Sequence, residues 1–505
     1  MLQNSIRLHL DDNLEIALRD LEAGEALTES GVPLATPVMR GHKIAAMPIR
    51  KGETARRYGQ VIGVATRDIA AGEHVHVDNL GMADLSLDYA FCSEARPLPS
   101  ISDSREFQGY RRVSGRVGTR NYLGVLTSVN CSGSVARFIA EAAERTDWFS
   151  DMDNIDGIVP IVHGGGCGMS AKDEGYATLF RTLAGYARNP NFGGILLVGL
   201  GCEVMQVADL VGREQLRPDG NFRYMTIQNT GGTRRTVETG VGMLHEMATE
   251  ANRVCRQSAP VSELVIGLQC GGSDGYSGIT ANPALGYASD LLVRYGGTTI
   301  LSETPEIFGA EHLLTRRAMT PEIGQKLVDR IEWWMDYTAR NKGEMNNNPT
   351  PGNKRGGLTT ILEKSLGAVA KGGTAPLAGV YKFAEPLATR GFVFMDSPGY
   401  DPCSVTGQIA SGANLVAFTT GRGSVSGYKP TPCIKLATNS EMYGRMSEDM
   451  DINCGDVIDE GVSIEDKGNE IFEMFLRVAS GEKTKSEALG FGGAEFVPWQ
   501  IGAVM

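Results

Sequence analysis

The amino-acid sequence predicts an α/β protein in which a small β-rich N-terminal domain precedes a large Rossmann-like α/β body made of two halves. Its 505 residues exceed the roughly 250–300 residues at which a single hydrophobic core stops growing. Short apolar–polar alternations fill the N-terminal part, whereas apolar strand-like runs followed by helical stretches fill the remainder. We therefore expect several domains in one chain.

The N-terminal region, residues 1–85, contains the runs SIRLHL, NLEIAL, HKIAAMPI, YGQVIGVATRDI and EHVHV. Short runs of period two, separated by turn residues, are typical of a small β domain. Residues 86–106 lose this periodicity and contain Pro97, Pro99 and several serines, which predicts a linker.

The body is predicted as a first α/β domain over 107–258 and a second, catalytic α/β domain over 259–505. Strand-like segments NYLGVLTSVNC, DGIVPIVHGGGCG, GGILLVGLGCE and ELVIGLQCGGSDG alternate with helical stretches such as 174–187 and 284–295. Helices are also predicted over 321–340 and 468–479, whereas NNNPTPGNKRGG is too polar to predict an element. This alternation favours mostly parallel sheets, in which ligands bind at the carboxyl ends of the strands.

Composition and charge exclude several classes of function. The net charge of -12 disfavours nucleic acid and anionic membranes as partners, because both select a basic face. No apolar stretch is long enough to span a bilayer, and the N-terminus does not resemble a secretory signal, so a cytoplasmic location is expected. Nine cysteines, an odd number at wide spacings, predict free thiols and not a disulfide scaffold.

Four cysteines, Cys131, Cys167, Cys202 and Cys270, each follow a predicted strand in a turn rich in glycine or serine. Cysteine is often only a small buried hydrophobic residue. Four of them at equivalent positions favour metal ligands instead. Because no CxxC pair is present, the pattern disfavours structural zinc and favours an open catalytic iron site or an iron–sulfur cluster.

Other side chains that could bind a metal or move protons are histidines and acids in short motifs. His74 and His76 share one face of a strand by their spacing, and two imidazoles there could reach one cation, although such a pair is more often a plain surface or core feature. The further candidates are His42 in GHK, His163 in HGGGCG, Glu203 in GCE, and Glu303 and Glu306 in SETPE.

Glycine-rich segments point to an anionic substrate. Residues 268–286 carry glycines and hydroxyls after a strand, including Ser273 and Asp274, without a dinucleotide or Walker pattern. Three further loops place cations among glycines, and arginine suits carboxylates because its planar fork binds both oxygens. The residues expected to bind substrate in these loops are Arg120, Asn121, Lys354 and Arg422.

At these motifs the sequence resembles the altronate/galactarate dehydratase family along nearly the whole chain. GHKIA, YGQVIG and IAAGEHVHVDN resemble the family's SAF domain, a small β-clip module. The body resembles the family through GTRN, SVNCSGSVAR, HGGGCG, GLGCE, LQCGGSDGYSGITANP, SETPEIFGAEHLL, NPTPGNKRGG and FTTGRGS. Because these motifs are long and occur in the same order as in the family, the resemblance is specific.

The resemblance implies dehydration of an aldonate or aldarate, such as altronate or galactarate, to a 2-keto-3-deoxy acid. It also implies dependence on Fe²⁺, with Mn²⁺ or an iron–sulfur cluster as alternatives. We expect catalytic roles for His163, Glu203, Glu303 and Glu306, and metal ligation by the four strand-end cysteines together with the three histidines of the SAF domain if that domain closes over the site.

Two alternatives stay open at this point. One is lyase action on sulfolactate, known in the broader family where the SAF part and the body are separate subunits. The other is a noncatalytic sugar-acid-binding protein, since SAF domains also occur as binding modules. The sequence leaves the choice of acid undetermined, and a homodimer is a possible assembly.

Overall fold

The N-terminal domain consists of two small antiparallel sheets. The structure, a computed structural model, describes residues 3–84, 87–213, 216 and 221–502. The predicted boundary between residues 85 and 86 lies outside these ranges. One sheet has the strand order β1-β2-β3-β6 and the other β4-β5-β7. The strands are β1 Ser5–Ile6, β2 Leu14–Ala17, β3 Lys43–Ala45, β4 Thr54–Arg57, β5 Gln60–Ala65, β6 His74–Val75 and β7 Leu80–Gly81.

The next region is built on a four-stranded parallel sheet with the order β11-β10-β12-β13. An antiparallel ribbon of order β14-β8-β9 joins it to the rest of the body. The strands are β8 Glu106–Arg111, β9 Val117–Gly118, β10 Tyr122–Thr127, β11 Gly157–Ile161, β12 Phe192–Gly199, β13 Phe222–Thr226 and β14 Gln257–Pro260. The helices are α1 Gly133–Glu144, α2 Asp147–Ser150, α3 Glu174–Ala187, α4 Val207–Arg213, α5 Ile227–Thr230 and α6 Thr233–Ala251.

The last region is built on a seven-stranded parallel sheet with the order β17-β18-β16-β15-β19-β20-β21. Its strands are β15 Val265–Cys270, β16 Thr298–Ser302, β17 Leu377–Tyr381, β18 Gly391–Met395, β19 Leu415–Thr420, β20 Cys433–Ala437 and β21 Ile452–Asn453. Its helices are α7 Ala281–Arg294, α8 His312–Thr315, α9 Pro321–Arg340, α10 Pro351–Arg355, α11 Ile361–Val369, α12 Asp401–Ser411, α13 Ser440–Arg445, α14 Asp456–Asp459, α15 Ile464–Ala479 and α16 Lys485–Ala488.

Helices cover both parallel sheets, as buried runs such as VIGLQC in β15 require. Helices α3 and α12 pack together between the two sheets, and one hydrophobic core contains residues of both sheets. Helices α7 and α15 pack on the opposite face of the seven-stranded sheet, in a core that also includes N-terminal-domain residues. The α/β prediction is therefore confirmed.

Local signals explain the helix ends that sequence reasoning found. Helix α9 begins with Thr320 as its N-cap, whose side chain accepts from the N–H of Ile323, and with Pro321 in its first turn. The polar segment NNNPTPGNKRGG was expected to hold no element, and this was wrong. Thr350 and Asn353 form a capping box there, which stabilises the short helix α10.

None of the helices in the described part of the chain is both long and apolar enough to cross a membrane.

Candidate active site at the carboxyl edge of the seven-stranded sheet

The candidate site lies where the strand order of the seven-stranded sheet changes direction, between β15 and β19. Ligands of open parallel sheets bind in the crevice at such a point, beyond the carboxyl ends of the strands. The loop after β15 is fixed there, because the Gly272 carbonyl accepts from the N–H groups of Gly421 and Arg422 at 3.1 and 2.9 Å. Gly272 has a φ of 61°, a conformation that favours glycine.

A buried cluster of charged and thiol groups occupies the end of β15. The Nζ of Lys371 lies 2.9 Å from Cys270 Sγ and 3.9 Å from Glu303 Oε2. Both carboxylate oxygens of Glu303 are buried and have no hydrogen-bond partner among the described residues. The backbone of Glu303 is left-handed, with a φ of 72°. Strained non-glycine residues with unsatisfied buried groups concentrate at functional sites.

A second acid–lysine pair lies beside the first. Lys364 Nζ approaches Glu306 Oε1 to 2.7 Å, and Asn348 Nδ2 donates to the same oxygen at 3.2 Å. Cys270 Sγ lies 3.6 Å from Glu306 Oε2. Cys270, Glu303 and Glu306 could thus offer one ligand atom each within 4.8 Å of one another. The two lysines already balance the charge of these carboxylates, so we do not assign a metal here.

The two glutamates of this cluster have opposite pKa shifts. Burial, and then the charge of Glu306, raise the pKa of Glu303 well above its ordinary value. Burial alone would raise the pKa of Glu306, but the charges of Lys364 and Lys371 lower it. Burial and the charge of Glu306 also raise the pKa of Asp401 to about 6. Acid–base catalysts are recognised by such separated pKa values in one site.

Three histidines of the N-terminal domain form a compact group facing the body. The ring centroids of His42, His74 and His76 lie 5.1 to 5.3 Å apart, and His42 Nδ1 lies 3.0 Å from His74 Nε2. Carbonyl oxygens of α10 accept from the ring nitrogens on the other side. The Nε2 of His42 donates to Arg355 O at 3.3 Å, and that of His76 donates to Lys354 O at 2.8 Å.

These carbonyls decide which imidazole nitrogens are free to bind a cation. A carbonyl oxygen only accepts, so the Nε2 atoms of His42 and His76 carry the protons and their Nδ1 atoms keep lone pairs. Burial lowers the pKa of both His42 and His74 to about 4, which keeps the rings neutral. Neutral imidazoles held by a carbonyl on their other nitrogen are the form in which histidine binds metal. The three rings thus offer neutral imidazole nitrogens in one place, although His42, His74 and His76 do not bring one ligand atom each within 4.8 Å of one another.

A buried ion network holds the histidine domain against the body. Glu363 Oε2 lies 2.9 Å from Lys43 Nζ, and its Oε1 lies 2.6 Å from Arg57 Nη1. Lys43 directly follows His42 in the chain and Arg57 ends β4, whereas Glu363 lies on α11. Burial raises the pKa of Glu363, but the two cations lower it to about 2. The acid is thus ionised and fixes the position of His42 beside α10.

A cavity of about 230 Å³ opens beside His42, between the N-terminal domain and the loops of the seven-stranded sheet. Its wall includes Asp274, whose carboxylate accepts from the hydroxyl of Thr438 at 2.9 Å and from Asn439 Nδ2 at 3.0 Å. Arginines supply much of the rest of the wall, namely Arg40, Arg355, Arg422 and Arg445. Such a cavity suits a small anion, because guanidinium groups bind carboxylates.

The sequence-predicted substrate residues divide into two groups. Arg422 and Asp274 line the cavity, and Ser273 and Lys354 lie beside it, where Asn353 Nδ2 donates to the Ser273 carbonyl at 2.8 Å. Arg120 is instead buried against α15 and α16, where its guanidinium binds Glu487 and backbone carbonyls. The Asn121 side chain bonds Asn154 and Ala251 at the amino end of β10.

Two predicted catalytic residues, His163 and Glu203, brace loops of the four-stranded sheet. His163 Nε2 donates to the Thr127 carbonyl at 3.0 Å, and its Nδ1 accepts from the Gly165 N–H at 3.1 Å. The Glu203 carboxylate accepts from Ser128 Oγ and from the N–H of Gly201, each at 2.6 Å. Both side chains therefore already have hydrogen-bond partners within these loops, and their roles in proton transfer stay predictions.

The four strand-end cysteines do not converge on one point. Cys270 is buried in the seven-stranded sheet, whereas Cys131, Cys167 and Cys202 are exposed at the carboxyl edge of the four-stranded sheet. Within the described ranges, none of these three belongs to a group of three potential ligands within 4.8 Å.

Sequence reasoning missed Lys364, Lys371, Asn348 and Asp401. A signal existed for the two lysines, since they lie seven residues apart in a largely apolar stretch, ILEKSLGAVAKGG. Seven residues make about two helical turns, which places both side chains on one face. Two cations on a buried face need anionic partners, and Glu303 and Glu306 are those partners.

Three family models match consecutive parts of the chain. They are described as the altronate/galactarate dehydratase SAF domain, matching residues 3–83, the second domain of D-galactarate dehydratase/altronate hydrolase, matching 109–252, and the D-galactarate/altronate dehydratase C-terminal domain, matching 261–504.

Curated relatives match over almost the same extent. The chain is 36% identical to an altronate dehydratase of Bacillus subtilis over 97% of this chain and 98% of that one. It is 37% identical to a galactarate dehydratase (L-threo-forming) of Escherichia coli over 95% and 93%. A (2R)-sulfolactate sulfo-lyase subunit beta of Chromohalobacter salexigens is 33% identical over 76% of this chain and 95% of that one. The chain belongs to the altronate/galactarate dehydratase family.

Proposed function

We propose that the protein is a hydro-lyase that removes water from a six-carbon sugar acid, such as altronate or galactarate, to give a 2-keto-3-deoxy acid. The observation that carries this proposal is the buried Glu303 carboxylate, which has no hydrogen-bond partner yet lies beside the ammonium of Lys371. The relatives named as dehydratases of these two acids support the choice of reaction.

The reaction needs a base for the C2 proton, positive charge near the enediolate that forms, and an acid for the departing C3 hydroxyl. Glu303 is proposed to take or return the proton, since burial and the charge of Glu306 raise its pKa and so make its carboxylate a stronger base. Lys371 and Lys364 remain positively charged, because the acids and the thiol around them raise their pKa values against the effect of burial. These ammonium groups stabilise developing negative charge in a site that excludes water.

Substrate binding is assigned to the cavity beside His42. Arg355 and Arg422 are positioned to bind the substrate carboxylate, and Asp274 holds the loop that joins this cavity to Cys270. His42, His74 and His76 would hold Fe²⁺, or Mn²⁺. Such an ion, when bound, supplies Lewis acidity toward the carboxylate and hydroxyl oxygens of the substrate.

A cytoplasmic location is proposed with this function. The support is that all nine cysteines are free, as expected in a reducing compartment.

The test is an assay of anaerobically purified protein with added Fe²⁺ on a panel of aldonates and aldarates, measuring the 2-keto-3-deoxy product. We expect turnover of altronate or galactarate that Glu303→Gln abolishes. Glu311→Gln is the matched control. Glu311 is also a buried acid, with a pKa raised by burial to about 7, but it contacts Tyr89 and not the lysines.

The assay also separates the two alternatives. Sulfite release from sulfolactate without dehydration would assign the sulfo-lyase reaction. Binding of a sugar acid without turnover, under conditions in which His42, His74 and His76 hold the cation, would assign a binding protein and overturn the proposal.

A further inference from the structure

The exposed cysteines of the four-stranded sheet lie around a second switch point. Strands β11, β10 and β12 are neighbours, and the strand order changes direction between β10 and β12. Cys131 follows β10, Cys167 follows β11 and Cys202 follows β12. The three thiols thus leave three adjacent strands at the edge where parallel sheets bind ligands.

Backbone contacts fix these three loops against one another. The N–H of Asn130 donates to the Gly165 carbonyl at 3.0 Å, and the N–H of Met205 donates to the Gly166 carbonyl at 3.0 Å. Gly166 has a φ of 97°, and a Cβ at this position would overlap the backbone of Ser128. Each contact lies within three residues of a cysteine, so the thiols are held on one rigid platform.

Two other polar side chains of this edge, His163 and Glu203, already have partners. His163 uses both ring nitrogens and the Glu203 carboxylate binds Ser128 Oγ and backbone N–H groups. Cys202 Sγ accepts from Gln228 Nε2 at 3.3 Å, a contact that would stabilise a thiolate. These bonds shape the loops, whereas the thiols of Cys131, Cys167 and Cys202 are exposed to solvent.

We propose that Cys131, Cys167 and Cys202 hold a [4Fe–4S] cluster at the edge of the four-stranded sheet, a site distinct from the dehydratase site of the seven-stranded sheet. A single ion would draw its ligand atoms close together, and the three cysteines form no group within 4.8 Å. A cluster binds each thiolate to a different iron, so it suits three thiols that follow three adjacent strands and are not drawn onto one point.

Three thiolates leave one iron of this cluster without a cysteine. His163 and Glu203 are occupied, so the fourth iron takes a ligand from solvent, such as water or the carboxylate of a small hydroxy acid. An iron bound in this way is released when the cluster is oxidised. With ferricyanide as oxidant, [4Fe–4S]²⁺ gives [3Fe–4S]⁺ and Fe²⁺, and the electron reduces one ferricyanide.

The test measures cluster content of the full chain, not turnover. The protein is purified without oxygen and reconstituted with Fe²⁺ and sulfide, and iron, acid-labile sulfide and visible absorption are measured. We expect about four sulfides per chain. Cys131→Ser, Cys167→Ser and Cys202→Ser should each lose most of the sulfide. Cys255→Ser is the matched control, because Cys255 is equally exposed but lies beside Asn154 beyond α6.

Ferricyanide treatment should release about one iron per chain and produce the EPR signal of a three-iron cluster. A second measurement uses only the wild-type protein, so it stays informative if the serine variants fail to fold. In reconstituted wild-type protein, iodoacetamide should label the three cysteines slowly and Cys255 fast. Iron bound without sulfide, or equal sulfide in all four serine variants, would overturn the proposal. Neither result depends on whether the protein dehydrates a sugar acid.

Discussion

Lys371 Nζ is 1 Å closer to Cys270 Sγ than to Glu303 Oε2, at 2.9 Å against 3.9 Å, so its hydrogen bond goes to the thiol and the carboxylate has none. Burial raises the pKa of Cys270 to about 11, which keeps the thiol protonated near neutral pH. The ammonium therefore acts on Glu303 through space. The buried Glu303 carboxylate therefore destabilises the fold and is also the proposed base. The substitution Glu303→Gln separates these two effects.

Glu303→Gln is expected to abolish turnover and to increase the free energy of unfolding at pH 7 by on the order of 1–3 kcal/mol. The physical reason is that a buried carboxylate without a hydrogen bond destabilises the fold, whereas a neutral amide costs less to bury. Chemical denaturation of both proteins measures the difference. An unchanged or reduced stability would show that Glu303 is well solvated by the fold.

The gain in stability from Glu303→Gln should depend on pH. The folded pKa of Glu303 lies above its ordinary value of 4.5, so the folded state binds more protons than the unfolded state at intermediate pH. The stability of the wild type relative to Glu303→Gln therefore falls as pH rises above about 4.5. Denaturation at pH 4.5 and pH 7.5 should give a larger difference in stability between the two proteins at the higher pH.

Glu363, the buried acid that joins the N-terminal domain to the body, should give stability the opposite dependence on pH. Glu363→Gln removes the charge that pairs with Lys43 and Arg57, and leaving these cations buried should cost about 3–5 kcal/mol of stability at pH 7. The folded pKa of Glu363 is about 2, below its ordinary value of 4.5, so its contribution to stability is present above pH 4.5 and is lost as pH falls toward 2.

Thermal unfolding and limited proteolysis between the N-terminal domain and the body measure this effect. Glu25→Gln is the control, since Glu25 pairs with Arg19 on the surface of the same domain and should change stability little. If Glu363→Gln unfolds no more readily than Glu25→Gln, the buried network does not hold the domains together.

Lys364→Met should destabilise the protein and reduce turnover together, in contrast to Glu303→Gln. It leaves the Glu306 carboxylate buried with the Asn348 amide and the Cys270 thiol but without its ammonium partner, a loss of about 3–5 kcal/mol. Lys326→Met, at an exposed position of α9, controls for the loss of a lysine. Denaturation midpoints and turnover at one pH check both. A Lys364→Met protein of normal stability would mean that Glu306 is neutral in the fold.

The sequence predicted the layered α/β body and the strand-end positions of Cys131, Cys167 and Cys202, because periodicity and turn residues are local properties. It also predicted Glu303 and Glu306 through the SETPE motif. The arginine of the GTRN motif shows the limit of this reasoning. Glycines around Arg120 suggested a ligand loop, but its partner Glu487 lies 367 residues away, and nothing local indicates such a pair.

The lysine partners were missed for the same reason, since a buried ion pair is defined by two distant segments. His163 shows a further limit. Its residue type suited catalysis, but the occupation of both ring nitrogens by Thr127 and Gly165 is set by loop conformation. Residue type and strand-end position locate a site edge, whereas hydrogen-bond partners decide which side chains at that edge are available for chemistry.

Gly275→Ala tests whether the contact between the N-terminal domain and the body is needed for catalysis. Gly275 has no left-handed backbone, but a Cβ there would overlap the carbonyl of Gly41, next to His42. The N-terminal domain must then move away from the cavity, and we expect a loss of turnover and weaker Fe²⁺ binding, measured by calorimetry, with the body still folded. Gly444→Ala, which meets open space on α13, should leave both unchanged. Equal turnover in the two variants would show that the histidines of the N-terminal domain do not need their present distance from Asp274 and Arg422, and would remove them from the proposed cation site.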